Sequence, residues 1–219
     1  MRAPDADAHR PLVGIAQHAP LGAPRVPALP SAIPHRGGSI GRLIGHAGLR
    51  LMGWRIAGNL PDRSKGVIIV APHTSNWDFV VGFCAYLALD LRANWFGKHT
   101  IFVGPIGAIL RYFGGIPIHR ESRSASQAVD TYAEEFEKRS RMYLAMAPEG
   151  TRKKVAEWKS GFYRIAVRAG VPIVPVALDF RLRRIIIGAP IAPSGDYERE
   201  IAWIKGLFDG VTPKHPEQF

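Results

Sequence analysis

The chain has 219 residues, 47% of them hydrophobic and 21% charged, with a formal net charge of +11. This is length enough for one domain with a real core, and the composition excludes a disordered or fibrous chain. The positive excess favours anionic partners such as membrane surfaces, phosphorylated ligands or acidic carrier proteins; nucleic acid ranks last, because no compact Lys/Arg block or nucleic-acid-binding motif is present.

Residues 1–37 are rich in Ala and Pro, with prolines at 4, 11, 20, 24, 27, 30 and 34. Regular helix or strand is disfavoured there, and the segment reads as a flexible extension. The domain itself is expected over 38–219. It opens with a helix from Ser39 to about Trp54, within an amphipathic stretch over 38–55. Ile40, Leu43, Ile44, Ala47, Leu51 and Trp54 share one face of it, and Arg42, His46 and Arg50 another. Docking on a membrane surface and packing on the core are both open for this helix. Gly41, Gly45, Gly48 and Gly53 weaken it as an isolated helix.

From residue 66 the pattern alternates. Val67 to Ala71 reads as a buried strand, and Asn76 to about Leu91 as a helix with Ser75 or Asn76 at its N-cap. Ile101 to Val103 is a predicted strand, Ile106 to Phe113 a short helix, and Ile116 to His119 an extended piece whose Pro117 argues for an edge. Ser124 to Arg139 is a polar amphipathic helix and Met142 to Ala147 a buried strand. Trp158 to Ala169 is a helix stopped by Gly170. Ile173 to Leu178 and Arg184 to Ile187 are strands, and Tyr197 to Phe208 is the last helix. Strands alternating with helices predict a single α/β domain with a largely parallel central sheet flanked by helices. In such sheets, sites form where loops leave the carboxyl ends of strands.

Cys84 is the sole cysteine, so an intramolecular disulfide or a cysteine-built zinc site is excluded. It lies in the apolar run Phe79 to Leu89 and reads as a small buried hydrophobe. That run is too short to span a bilayer, and the first residues lack a signal-peptide core. The expectation is a cytoplasmic chain, attached at most to a membrane surface.

Two segments carry chemistry. His73-Thr74-Ser75-Asn76-Trp77-Asp78 has the spacing H-x4-D. Imidazole can take the proton of an alcohol near neutral pH, and a carboxylate on its other nitrogen fixes tautomer and orientation. Alone, the pair reads first as a turn histidine and a helix-capping aspartate, ahead of a catalytic pair. Glu149-Gly150-Thr151-Arg152 follows a buried strand. Gly150 admits close backbone approach, Thr151 offers a hydroxyl and an amide, and Arg152 can grip phosphate with parallel hydrogen bonds. Glu149 could position Arg152 or bind an acceptor hydroxyl. Gly114-Gly115 leads to Arg120, a candidate second phosphate clamp. Val171-Pro172-Ile173-Val174-Pro175-Val176 offers no chemical group, only structure or an apolar wall. Trp77 and Phe79, flanking Asp78, read as core before channel lining. Phe96, Lys98 and Tyr163 are ambiguous in the same way. Arg181, Arg183 and Arg184 read equally as headgroup contacts and as a solvated strand end.

Together and in this order, the four segments resemble the glycerophospholipid acyltransferase family, which includes the 1-acyl-glycerol-3-phosphate acyltransferases. The blocks are His73 to Asp78, Gly115 to Arg120, Glu149 to Arg152 and Val171 to Val176, and the match covers about residues 50–190. The resemblance implies the family's fold, with His73 as general base and Asp78 as its orienting partner. It implies Gly115, Arg120, Glu149, Gly150, Thr151 and Arg152 as holders of a phosphorylated acceptor, and Val171 to Val176 as part of the acyl-donor side. It implies transfer of a fatty acyl chain from acyl-CoA or acyl carrier protein to a lysophosphatidate-like hydroxyl at an anionic membrane surface, on the inner face of the cell membrane. No cofactor or metal is implied. Another lysolipid or non-glycerol amphiphile as acceptor, or a non-catalytic lipid-binding protein of this fold, are the alternatives. Pro72 stands where the family often has Asn, and Lys153 and Lys154 follow where it often has Ser; both departures bear on the acceptor more than on the reaction.

Overall fold

A computed structural model describes residues 11–17, 24–118 and 125–219. The strands are β1 (Arg55–Ala57), β2 (Lys65–Ala71), β3 (Ala93–Lys98), β4 (Gly115–Ile118), β5 (Met142–Met146), β6 (Ile173–Asp179) and β7 (Arg184–Ile187). The helices are α1 (Leu12–Gln17), α2 (Ser39–Leu51), α3 (Asn76–Ala88), α4 (Gly104–Tyr112), α5 (Ala125–Glu137), α6 (Gly161–Ala169) and α7 (Tyr197–Gly206). One sheet joins the strands in the order β1-β7-β6-β2-β5-β3-β4. From β6 to β4 every pairing is parallel; β7 runs antiparallel to β6, and β1 runs with β7. The predicted α/β domain with a largely parallel sheet is what forms.

The centre of the sheet follows from sequence. Val67-Ile68-Ile69-Val70 in β2 and all seven residues of β6 are buried or nearly so, as strands covered on both faces must be. One face is covered by a core that includes Phe136 of α5, Phe162 and Ile165 of α6, and Ile204 of α7. The other core includes Leu49 of α2 and Val81, Ala85 and Ala88 of α3. β2 and β5 are neighbours with Ile69 opposite Met146, so the loops leaving their carboxyl ends emerge side by side. Those loops carry His73 and Glu149.

The helix α2 does dock on the core, but not by its apolar stripe. Its glycines face α3: a methyl at Gly45 would lie 2.3 Å from the Ala88 amide nitrogen and 2.6 Å from the Cys84 carbonyl oxygen, and one at Gly48 would lie 2.7 Å from Cys84 Sγ. The residues that weaken an isolated helix are here the ones that let two backbones touch. Ile40, Leu43, Ile44 and Leu51 point away from the core and are exposed. Because the atoms opposing Gly45 are main-chain, they cannot swing aside. Gly45→Ala is therefore expected to cost about 1–3 kcal/mol through overpacking. Thermal unfolding checks this as a fall in Tm of several degrees against wild type.

Three expectations are corrected. First, residues 11–17 and 24–37 are not a loose extension. Leu12 is buried in the core with its amide on the Leu207 carbonyl at 2.8 Å, Ile33 is fully buried, and the Ile56 amide donates to the Arg25 carbonyl at 2.9 Å. Proline removes helix and ladder bonds, but it does not stop an extended chain from seating isolated apolar residues in a core. Residues 1–10 and 18–23 lie outside the described residues. Second, Ile101 to Val103 is not a strand. The strand is β3, and the chain then turns through a 3-10 turn at His99–Ile101 so that Phe102 is buried. Third, Val171 to Val176 do not line the crevice at His73; Val171 and Pro172 line a separate cavity of about 610 Å³ together with Arg63, Lys65 and Gly170. Ile173 to Val176 pair with β2 residues Val67 to Val70, below the edge where His73 emerges, and are buried within the sheet. Among the described residues, no helix is long and apolar enough to cross a membrane.

Candidate active site

β2 ends at Ala71, and a cis Ala71–Pro72 peptide leads to His73. Three residues later α3 begins. Ser75 is its N-cap, with its hydroxyl accepting from the Trp77 amide at 3.1 Å. Asp78 is the acidic partner in the capping box. Its Oδ2 accepts from the Thr74 and Ser75 amides at 2.7 Å each. The same oxygen lies 3.2 Å from His73 Nδ1, with the Asp78 side chain 2% exposed and the His73 ring 30% exposed. The two readings of the H-x4-D spacing are thus one arrangement. The carboxylate that caps the helix also holds the ring, and the helix N-terminus favours its negative charge. With Nδ1–H given to Asp78, the lone pair of the imidazole sits on Nε2.

Glu149 arrives from the neighbouring strand. It is buried, and its carboxylate accepts the His73 main-chain N–H at 2.9 and 3.3 Å. One carboxylate therefore fixes the ring of His73 and another fixes its backbone. This departs from the first role expected for Glu149, because Arg152 is held by Asn76 and not by this carboxylate. Burial pushes its carboxyl up to about 7; the His73 amide and ring oppose this, and the charge of Asp78 adds to it.

The consequence for stability has a definite sign. Between about pH 4.5 and 7 the unfolded chain releases this proton while the folded chain keeps it, so the group's contribution to stability falls as pH rises through that window. Glu149→Gln keeps an acceptor for the His73 amide and removes the titration. Its denaturant midpoint is expected to decline less than that of wild type between about pH 5 and about pH 8.

The rest of the loop is shaped by Gly150, whose φ of +66° an L side chain resists, and whose missing Cβ leaves room for Lys159. Thr151 Oγ1 accepts from the Lys153 amide at 3.3 Å. Arg152 donates to the Asn76 side-chain oxygen at the start of α3. Asn76, expected only as a possible cap, is what ties the second motif to the first. Gln218 ties them again: with its amide nitrogen facing inward it donates to the Arg152 carbonyl at 2.7 Å and the Thr74 carbonyl at 3.1 Å. The His215 amide adds a bond to Thr74 Oγ1 at 3.2 Å. Sequence reasoning missed Gln218 and His215, and no local pattern marks them.

His73, Asp78, Glu149, Gly150, Thr151 and Arg152 are thus brought together. Gly115 is not. It begins β4, the outermost strand, and is buried against the ring of Phe102, where a methyl would lie 2.6 Å from that ring. Its role is packing, because β4 rises from there towards the edge that carries the His73 loop. Arg120 lies outside the described residues. Trp77 and Phe79, expected as core, are both exposed on α3.

Two cavities flank the site. One, of about 180 Å³, includes Glu149, Lys153, Val155, Lys205 and Gln218 in its lining. The other, of about 620 Å³, has Met52, Trp54, Trp77, Val81 and Phe180 among its walls, and Arg181, Arg183 and Lys214 beside them.

Fold and site together define an α/β protein in which a carboxylate-held histidine and a glycine-turned basic loop meet at the carboxyl edge of a parallel sheet. The chain belongs to the acyltransferase family, whose model matches residues 55–179, more than half of its length. It is similar to the 1-acyl-sn-glycerol-3-phosphate acyltransferase of Streptococcus pneumoniae, 33% identical over 135 residues that make up 58% of this chain and 49% of that protein. The Haemophilus influenzae 1-acyl-sn-glycerol-3-phosphate acyltransferase is 26% identical over 132 residues, 58% of this chain and 54% of that protein. The chain spans about half the length of these curated relatives. In fold it is similar to the crystal structure of the 1-acyl-sn-glycerophosphate (LPA) acyltransferase PlsC from Thermotoga maritima, with a TM-score of 0.53 and 20% identity, covering 78% of this chain and 77% of that one.

Proposed function

We propose that the protein moves a fatty acyl chain from an acyl thioester, acyl-CoA or acyl carrier protein, to the hydroxyl of a lysophosphatidate-like acceptor. The observation that carries this reading is the His73 Nδ1 to Asp78 Oδ2 contact at 3.2 Å, beside a loop that ends in Arg152. His73 Nε2 takes the proton of the acceptor hydroxyl as its oxygen attacks the thioester carbonyl. Asp78 stabilises the imidazolium that results. The tetrahedral intermediate collapses to the ester, and the departing thiolate recovers the proton from His73 as free thiol. Arg152 and Lys153, with the Thr151 amide, face the acceptor phosphate. The larger cavity suits the donor: its apolar walls take the acyl chain, and Arg181, Arg183 and Lys214 suit the phosphates of CoA or of a carrier's phosphopantetheine arm. The similarity to 1-acyl-sn-glycerol-3-phosphate acyltransferases supports the acceptor class. The reaction is placed at a membrane surface on the cytoplasmic side, where such acceptors reside.

The test is thiol release from palmitoyl-CoA, and separately from palmitoyl carrier protein, in the presence of lysophosphatidate, with mass spectrometry of the lipid. Thiol release matched by phosphatidate is expected. Thiol release without phosphatidate moves the acceptor elsewhere, and silence with both donors across a lysolipid panel sinks the transferase reading.

A further inference from the structure

The stripe of α2 that turns away from the core is part of a larger surface. On α3, Phe79 is 68% exposed, and on α4 Ile106, Ile109 and Tyr112 are exposed, Tyr112 at 73%. The two helices are joined by a ring contact, stacked within α3 and edge-to-face across to α4. Phe79 lies 5.7 Å from Phe83, and Phe83 lies 5.0 Å from Phe113 at the end of α4. With α2 packed on α3 through its glycines and α3 touching the end of α4 through Phe83 and Phe113, exposed apolar side chains run across all three helices. Single exposed apolar residues are ordinary, but a continuous patch on three helices needs an occupant.

The charges select that occupant. Between residues 36 and 118 the acidic residues are Asp62, Asp78 and Asp90. Asp78 is buried in the site, and Asp90 accepts from the Gly37 and Gly38 amides at 3.0 and 3.3 Å. The helices α2 and α4 carry no carboxylate and present Arg42, Arg50 and Arg111. The opposite side of the sheet differs: α5 bears Asp130, Glu134, Glu135 and Glu137, and α7 bears Glu198 and Glu200. A second copy meeting this face about a two-fold axis would set its cations against the same cations. An anionic bilayer satisfies both properties at once, burying the apolar side chains and pairing the arginines with headgroups.

We propose that the outer face of α2, α3 and α4 lies on an anionic lipid bilayer, with α4 inserting beside α2. The inference deepens the acyl-transfer reading, on which its purpose rests. Asp78 belongs to α3, so the helix that orients the base would itself lie in the interface and bring the site to the headgroups.

Vesicle flotation of the full chain tests it, using phosphatidylglycerol and phosphatidylcholine vesicles, wild type against Ile106→Glu/Ile109→Glu and Leu43→Glu/Leu51→Glu. Wild type is expected with the phosphatidylglycerol vesicles, less so as salt rises. Each double variant is expected to partition about tenfold or more weakly while keeping the wild-type Tm. Both variants are also expected to keep their thiol release with a short-chain, water-soluble lysophosphatidate. Unchanged flotation of the α4 variant overturns the proposal. So does a wild type that ignores vesicles but forms a dimer, by light scattering, that the variants dissociate. Flotation is read without turnover, so a protein that docks through this face yet transfers no acyl group counts against the reaction and not against the surface.

Discussion

His73→Ala is expected to lower kcat for acyl transfer by about 10²- to 10⁴-fold, the range that a positioned general base contributes. KM for the acceptor should change little, because the proton is passed only as the transition state forms. The variant should still fold. The His73 ring is 30% exposed, and the loop is held by its main chain rather than by the ring, with the His73 amide on Glu149 and the Thr74 and Ser75 amides on Asp78. The measurement is steady-state thiol release alongside thermal unfolding. An alanine variant with more than a tenth of wild-type kcat would remove His73 from the role of base.

Asp78 separates two functions that one carboxylate performs. Asp78→Ala leaves the Thr74 and Ser75 amides without their acceptor in a buried setting, and each orphaned donor costs about 1–3 kcal/mol. Its urea midpoint and its activity should therefore fall together. Asp78→Asn keeps an oxygen for those amides but can present an N–H to His73 Nδ1, which selects the wrong tautomer. By analogy with the aspartate of the serine-protease triad, kcat should drop by about 10⁴-fold with far less loss of stability than in the alanine variant. If Asp78→Asn turned over like wild type, Asp78 would be a helix cap and nothing more.

The split between what sequence reveals and what it hides is physical. β2, β5 and β6 were legible because strands buried on both faces read as apolar runs. β1 and β3 were not: β1 is three residues long, and β3 is Ala-Asn-Trp-Phe-Gly-Lys, half-buried, with Asn94 and Trp95 side chains bonded to the Gly114 and Phe113 carbonyls. Such a strand is specified by its neighbours. The docking of α2 stayed open because hydrophobic periodicity assumes that side chains make the packing, whereas here their absence does. In the site, His73 and Asp78 were legible because their contact is local. Glu149 could be placed near them from topology alone, but its bond to the His73 amide spans 76 residues and leaves no mark in the local pattern.

The stitches made by His215 and Gln218 also bear on the order in which the protein assembles. The bond from the His215 amide to Thr74 spans 141 residues, and closing so long a loop is entropically disfavoured until the sheet already holds its ends together. The parallel pairing of β2 with β5 and β6 must come first, and the stretch from Thr212, docked on Asp179 and Phe180, then lies across its edge. Catalytic competence should therefore appear later than the sheet in refolding. A nascent chain whose residues beyond Asp209 are still confined in the ribosome would join the two motifs only through Glu149 and Arg152, without the bonds from His215 and Gln218.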